Sequence, residues 1–82
     1  MIFLIEYDRP TRRTLLLKAF YDADLHKAQE DRLRIELDRN AKNLLSRREV
    51  VLLEARTEEA LHHTHARYFE NLSEDARVLA YI

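Results

Sequence analysis

The sequence contains no cysteine, no glycine and no tryptophan, and it has a single proline. Without cysteine there can be no disulfide, no thiol nucleophile and no thiolate zinc site. Without glycine, the phosphate-binding loops and dinucleotide fingerprints that bring the backbone close to a ligand cannot be present. These absences remove the commonest nucleotide-binding and thiol-based chemistries, and we expect no cofactor.

Long apolar segments are also missing. The uninterrupted apolar runs are only about four residues long, whereas a transmembrane helix needs roughly 20. No basic start leads into a long apolar stretch, as it does in a secretory signal. We therefore expect a soluble, cytoplasmic protein without a membrane partner.

The composition that remains is typical of a packed domain. Hydrophobic residues make up 46% and charged residues 35% of 82 residues, with a net charge of −1. A chain of this length buries roughly 60 to 65% of the surface that its unfolded form exposes. The sequence thus predicts one α+β domain over residues 1–82.

The first half of the chain predicts a β-hairpin followed by a helix. Met1–Asp8 and Thr14–Tyr21 are rich in β-formers, and Pro10 between them marks a turn. A helical pattern then runs from Asp24 to about Leu45. Its apolar stripe is predicted to face the core, with Ile35 outside it. That stripe comprises Leu33, Leu37, Ala41 and Leu44.

The second half predicts a strand and a second helix. Glu49–Ala55 has a continuous apolar centre, and Thr57 can cap a helix that runs to about Leu72. Residues 73–82 stay open between strand and helix, with a short fourth strand over Val78–Ile82 as one option. The predicted fold is two-layered, of order β-β-α-β-α, with a mainly antiparallel or mixed sheet and both helices on one face.

Strand alternation leaves a second apolar sheet face without a helix on this topology. An open apolar face on a small monomer usually marks an interaction site, and twofold dimers are the commonest soluble oligomers. The sequence therefore predicts a homodimer through this face, unless one helix or the tail crosses over to cover it. The predicted interface comprises Ile2, Leu4, Leu16, Phe20, Val50 and Leu52.

Arginines are predicted to gather at one end of the domain. These are Arg9, Arg12, Arg13, Arg47 and Arg48. Guanidinium groups bind phosphate and carboxylate well, so an acidic protein or nucleic acid is a candidate partner. A pI near 6.4 argues against a dedicated nucleic-acid binder. Complementing the helix dipoles is the alternative role for charges at the helix ends.

Three residues on the second helix have metal-ligand spacing. Glu58, His62 and His65 are four and three residues apart, so they share one flank and could hold Zn²⁺. A core histidine at His65 is the alternative. Neither Ser46 nor Ser73 lies at a recognisable spacing from histidine and an acid, so we expect no enzyme activity. The sequence favours a small self-associating protein-interaction module, with a nucleic-acid accessory protein and a metal-binding protein as alternatives.

Overall fold

A four-stranded mixed sheet forms the centre of the fold. The structure is a computed structural model, and it describes residues 1–72 and 74–79. The strands are β1 (Ile2–Asp8), β2 (Arg13–Phe20), β3 (Arg48–Glu54) and β4 (Arg77–Leu79), in the spatial order β3-β1-β2-β4. β1 is antiparallel to both of its neighbours, and β4 is parallel to β2. The α+β class and the element order are confirmed.

The described residues contain two α-helices. α1 spans Leu25–Ala41, and α2 spans Glu58–Thr64. The Thr57 hydroxyl accepts a hydrogen bond from the Ala60 amide at 3.0 Å, so the predicted cap is confirmed. α2 ends well before Leu72 because His65 leaves the helical backbone range, and a 3₁₀ turn over Ala66–Phe69 follows. The predicted length of the second helix is therefore wrong.

The helices lie on opposite faces of the sheet. α1 covers the face that carries even-numbered strand residues, among them Ile2, Leu4 and Phe20. α2 and the following 3₁₀ turn cover the other face, which carries odd-numbered residues such as Phe3, Ile5 and Leu17. The prediction that both helices share one face is wrong, because each face presents an apolar set that needs its own cover.

This arrangement removes the predicted open sheet face. Leu4 is fully buried, and Ile2 and Phe20 are 2% exposed, all within a single chain. Leu16, Val50 and Leu52 pack partly buried against the same cluster beneath α1. Those six residues form core and not the interface that the sequence predicted.

The residues of α1 that face the sheet are not the ones that the hydropathy pattern predicts. Ala28, Asp31, Ile35 and Arg39 are spaced three or four apart and lie towards the sheet. The Lys18 ammonium contacts Asp31 at 2.6 Å, and Arg39 contacts the Glu6 carboxylate on β1. These polar anchors fix the rotation of the helix. As a result Leu33 and Leu37, predicted to face the core, point outward, and Ile35, predicted to lie outside it, packs against it. Leu44, the third predicted inner leucine, lies beyond the end of α1 and is half-buried.

The two edges of the sheet differ. The outer edge of β2 is covered by β4 and, at its start, by the segment that follows the 3₁₀ turn over Ala66–Phe69. There the Thr14 amide donates to the Asn71 carbonyl at 3.3 Å, and the Thr14 hydroxyl donates to the Tyr68 carbonyl at 2.5 Å. In the described part of the chain no strand pairs with the outer edge of β3.

The tail forms a fourth strand, the option that the sequence placed over Val78–Ile82. β4 covers Arg77–Leu79, and residues 80–82 lie outside the described part of the chain. Over the described residues, neither helix combines the length and the apolar character that crossing a membrane requires.

The rotation of α1 can be tested at adjacent positions. Ile35→Ala removes a side chain from the core beneath the helix, and we expect a loss of about 1 to 3 kcal/mol in the free energy of unfolding. Arg34→Ala changes an exposed residue and should cost less than about 0.5 kcal/mol. Urea unfolding at one protein concentration compares the two variants, and equal losses would contradict the observed helix orientation.

Candidate functional site

A buried carboxylate lies between α1 and the sheet. Glu6, in the middle of β1, is 2% exposed. Arg39 of α1 donates to it through Nε at 2.6 Å and Nη2 at 2.9 Å, which is a bidentate pair. Arg48 of β3 adds a bond from Nη1 at 2.8 Å. One carboxylate thus joins β1, β3 and α1.

Asp8 extends this ion-pair cluster to the hairpin turn. Its carboxylate accepts from the Thr11 hydroxyl at 2.6 Å and from Nε of Arg48 at 3.0 Å. Nε of Arg47 lies 3.4 Å from the same carboxylate. Glu6 and Asp8 are two residues apart on one strand, so they point to the same side of the sheet.

The cluster holds its members in their charged forms. Burial alone would raise the pKa of Glu6, but hydrogen bonds from Arg39 and Arg48 outweigh burial and hold its pKa below 4.5, the ordinary value. The Thr11 hydroxyl is the largest influence on Asp8; together with Arg48 it overcomes burial and lowers the pKa of Asp8. The hydrogen bond with Glu6 raises the pKa of Arg39.

The predicted arginine end is only partly free to bind an anion. Arg47 and Arg48 face Asp8 and Glu6, so their charge is matched within the chain. Arg9 donates from Nη1 to the Ser46 carbonyl at 3.2 Å. Arg12 and Arg13 are exposed on and beside the hairpin turn, and within the described residues their side chains have no hydrogen-bond or ion-pair partner. Two of the five arginines therefore remain available there.

The sequence-based prediction missed the acids that neutralise the arginines. The predicted site residues include Arg47 and Arg48 but neither Glu6 nor Asp8. A signal was present, since Glu6 and Asp8 share one face of a strand whose predicted neighbours carry Arg47 and Arg48. Two carboxylates on a covered face require cationic partners.

Of the three predicted metal ligands, only Glu58 and His62 are close, with Nε2 of His62 3.6 Å from Oε2 of Glu58 in the described part of the chain. Both oxygens of Glu58 accept from Arg77, at 3.1 and 2.8 Å. His62 stacks on the Phe69 ring with centroids 3.6 Å apart, and His65 lies beside Tyr68. Across residues 1–72 and 74–79, no three histidine or acidic side chains form a group that could hold a metal ion.

A second polar cluster fastens the 3₁₀ turn to β3. The Tyr68 hydroxyl donates to Glu49 at 2.8 Å, and Arg67 donates to the same oxygen at 2.6 Å. The Arg67 guanidinium also lies over the rings of Tyr68 and Tyr7, at 4.7 and 5.3 Å from their centroids. Burial, then the bond to Glu49, raise the pKa of Tyr68, which stays a hydrogen-bond donor at neutral pH. This geometry supports a structural role.

Among the large apolar side chains of the described residues, the two with the highest exposed fractions lie on the outward face of α1. Leu33 is 57% and Leu37 is 61% exposed. Glu36, between them in sequence, lines a groove of about 330 Å³ together with Arg48 and Val50 of β3. The Glu36 flank of α1 therefore faces the open edge of the sheet, and Leu33 and Leu37 lie next to it on the side of the helix away from the sheet. We call Leu33, Leu37 and the outer edge of β3 the β3-side surface.

Comparison with models of known protein families, with curated proteins and with solved structures finds no match to this chain.

The ion-pair cluster predicts a strong dependence of stability on Glu6. Glu6→Gln leaves Arg39 and Arg48 in place with the shared carboxylate charge removed, and we expect a loss of about 3 kcal/mol in the free energy of unfolding. Glu70→Gln, at an exposed position, is the matched control and should change it by less than about 0.5 kcal/mol. Denaturant unfolding near pH 7 measures both, and similar values for the two variants would contradict the role of Glu6.

The same cluster predicts acid sensitivity. Because the pKa of Glu6 is lower in the folded chain than in the unfolded chain, ionised Glu6 stabilises the fold fully above pH 4.5. This contribution falls as pH drops from 4.5 through the lower folded-state pKa. Asp8 behaves in the same direction. Unfolding measured between pH 3 and 7 should show a shallower loss in Glu6→Gln than in the wild type, and parallel curves would argue against this origin.

Proposed function

We propose that this protein is a small protein-interaction module that self-associates as a homodimer through the β3-side surface. The observation that carries the proposal is the outward orientation of Leu33 and Leu37 beside an open sheet edge. An exposed apolar stripe next to an unpaired strand marks an interaction site in a small domain. The sequence also predicts a homodimer, but through a sheet face that α1 covers in the structure.

The charges around these leucines favour a second copy as the occupant. Nε of Arg32 lies 2.7 Å from Glu36, so the flank that carries the leucines is neutralised by its own pair. A surface of this kind does not select a strongly charged partner, and it does not repel itself. Twofold symmetry would bury the leucines of both copies against each other in one isologous contact.

The proposal gives the protein a cytoplasmic location and no catalytic role. The lack of cysteine supports the first. The absence of a nucleophile paired with histidine and an acid supports the second. A nucleic-acid or acidic-protein partner at the arginine end stays a prediction. Its support is reduced because the charges of Arg47 and Arg48 are paired with those of Asp8 and Glu6 within the chain.

Introducing negative charge on the outward face of α1 tests self-association. Leu33→Glu combined with Leu37→Glu places two carboxylates in the proposed contact, and we expect dimerisation to weaken at least about tenfold, equivalent to 1.4 kcal/mol. The fold should persist because both side chains are already exposed. Sedimentation equilibrium at protein concentrations from about 1 to 100 μM measures the association. Circular dichroism checks that the variant remains folded.

The matched control adds two glutamates on the opposite side of the sheet. His63→Glu combined with Ala66→Glu alters exposed positions on α2 and on the 3₁₀ turn that follows it, away from the leucines, and should leave the dimer intact. A wild-type monomer throughout the concentration range would refute the proposal. Equal weakening by both double variants would show that net charge, and not the leucine contact, governs association.

A further inference from the structure

The backbone groups of β3 divide cleanly between its two sides. The Met1 and Ala55 backbones exchange hydrogen bonds in both directions, at 2.9 and 3.1 Å. At the other end the Arg9 amide donates to the Arg47 carbonyl at 2.9 Å. Because pairing to β1 is unbroken, the odd-numbered residues of β3 bond inward. The amides and carbonyls of even-numbered residues point out of the sheet.

The free edge is not uniform along its length. The Arg48 amide points outward but is already taken by the Leu44 carbonyl at 3.1 Å, so the loop before β3 occupies that end. Val50, Leu52 and Glu54 follow. Within the described residues, nothing accepts from or donates to their outward amides and carbonyls. Three consecutive outward residues thus form an unoccupied half-ladder with Leu52 at its centre.

We infer that two copies of this chain pair antiparallel through β3, with Leu52 on the twofold axis, to form one continuous sheet. This inference rests on the proposed self-association and specifies its geometry. In this register Leu52 faces Leu52 of the second copy, and Val50 faces Glu54 of the second copy. Each such pair exchanges two bonds, so the three pairs give about six hydrogen bonds. Every unoccupied group of the half-ladder then has a partner.

Other registers use the edge less well. An axis at Val51 would place Glu54 of the second copy opposite Arg48, where the Leu44 carbonyl already lies. An axis at Val50 would push the second strand further into that loop. Moving the axis beyond Leu52 would shorten the paired segment. The loop before β3 therefore selects the register centred on Leu52.

Charge placement agrees with this register. Glu54 is exposed, and among the described residues its side chain has no ion-pair or hydrogen-bond partner. In the paired sheet it lies diagonally from Arg48 of the second copy, within reach of a long side chain on the same face. Arg48 uses Nε and Nη1 for Asp8 and Glu6, which leaves Nη2 for this contact.

The same rotation brings the two α1 helices together. α1 crosses the sheet above β1 and β3, and strands are spaced by about 4.8 Å. A twofold axis just outside β3 and perpendicular to the sheet keeps both helices on one face, about 10 Å apart, which is the usual spacing of packed helices. Arg32 and Glu36, on the flank of α1 beside β3, would then face their counterparts across the axis, with Leu33 at the rim of the contact. One symmetry operation thus pairs the strand edge and packs the two helices.

β3 also lacks a proline and a bulge, two of the features by which proteins protect sheet edges. It has seven residues, contains no proline, and pairs with β1 without a bulge. Its centre is the apolar sequence Val50–Leu53. An edge of this kind is a template for another strand, and an identical strand is always available in a solution of the protein.

Single-cysteine variants test the register directly, since the wild type has no thiol. Opposite residues in a hydrogen-bonded antiparallel pair have Cα atoms about 5.5 Å apart, within the range of a disulfide, whereas diagonal positions are roughly 7 to 8 Å apart. The full chain is oxidised with glutathione disulfide at a concentration where sedimentation shows the dimer. We expect Leu52→Cys to cross-link at least about tenfold more than Val50→Cys or Val51→Cys.

A mixed sample provides a second, independent readout. Val51→Cys and Leu53→Cys face each other across the proposed axis, so the equimolar mixture should cross-link while each variant alone should not. This readout keeps the test valid if Leu52→Cys fails to fold. Preferred cross-linking of Val51→Cys or Val50→Cys alone would overturn the register. A dimer in sedimentation without any cross-link would overturn β3 pairing and leave the proposed function standing, whereas a monomer would refute both.

Discussion

The buried carboxylate of Glu6 is the constraint on which the rest of the structure depends. It is 2% exposed and accepts from Arg39 and Arg48, so α1 and β3 are both fixed to the central strand through one side chain. A buried charge is tolerated only when it is paired and hydrogen-bonded. Satisfying Glu6 therefore takes precedence over burying any one leucine of α1. The helix turns the stripe that holds Arg39 towards the sheet and leaves Leu33 and Leu37 outside.

This choice connects the interior of the domain to its surface. Asp31 and Arg39 lie on the same stripe as Ala28 and Ile35, so polar anchors and small or branched apolar residues share the inner face. The leucines that hydropathy assigns to the core are then available for contact. The outward position of these leucines is thus a consequence of internal electrostatics, and Ala28 and Ile35 pack against the sheet in their place.

Much of the fold could be predicted from the sequence, because strand alternation, the Pro10 turn and the Thr57 cap are local signals. The rotation of α1 could not, since its apolar stripe and its polar anchors point in different directions and only the position of Glu6 decides between them. The placement of the helices depended on which face each connection crosses, which local patterns do not encode. The cluster of Glu6 and Asp8 was visible as two acids on one strand face, but its partners are distant in sequence.

The open edge of β3 and the exposed leucines of α1 are better understood together than separately. An isolated apolar edge strand promotes disordered aggregation, and an isolated leucine stripe binds amphipathic partners with little selectivity. Here the loop at Leu44 blocks one end of the edge, so an added strand has a limited register. The neutral pair of Arg32 and Glu36 accompanies the leucines on the same flank. The twofold axis proposed beside β3 would close this edge and bring the two α1 helices side by side, and it would leave no free β3 edge for further pairing.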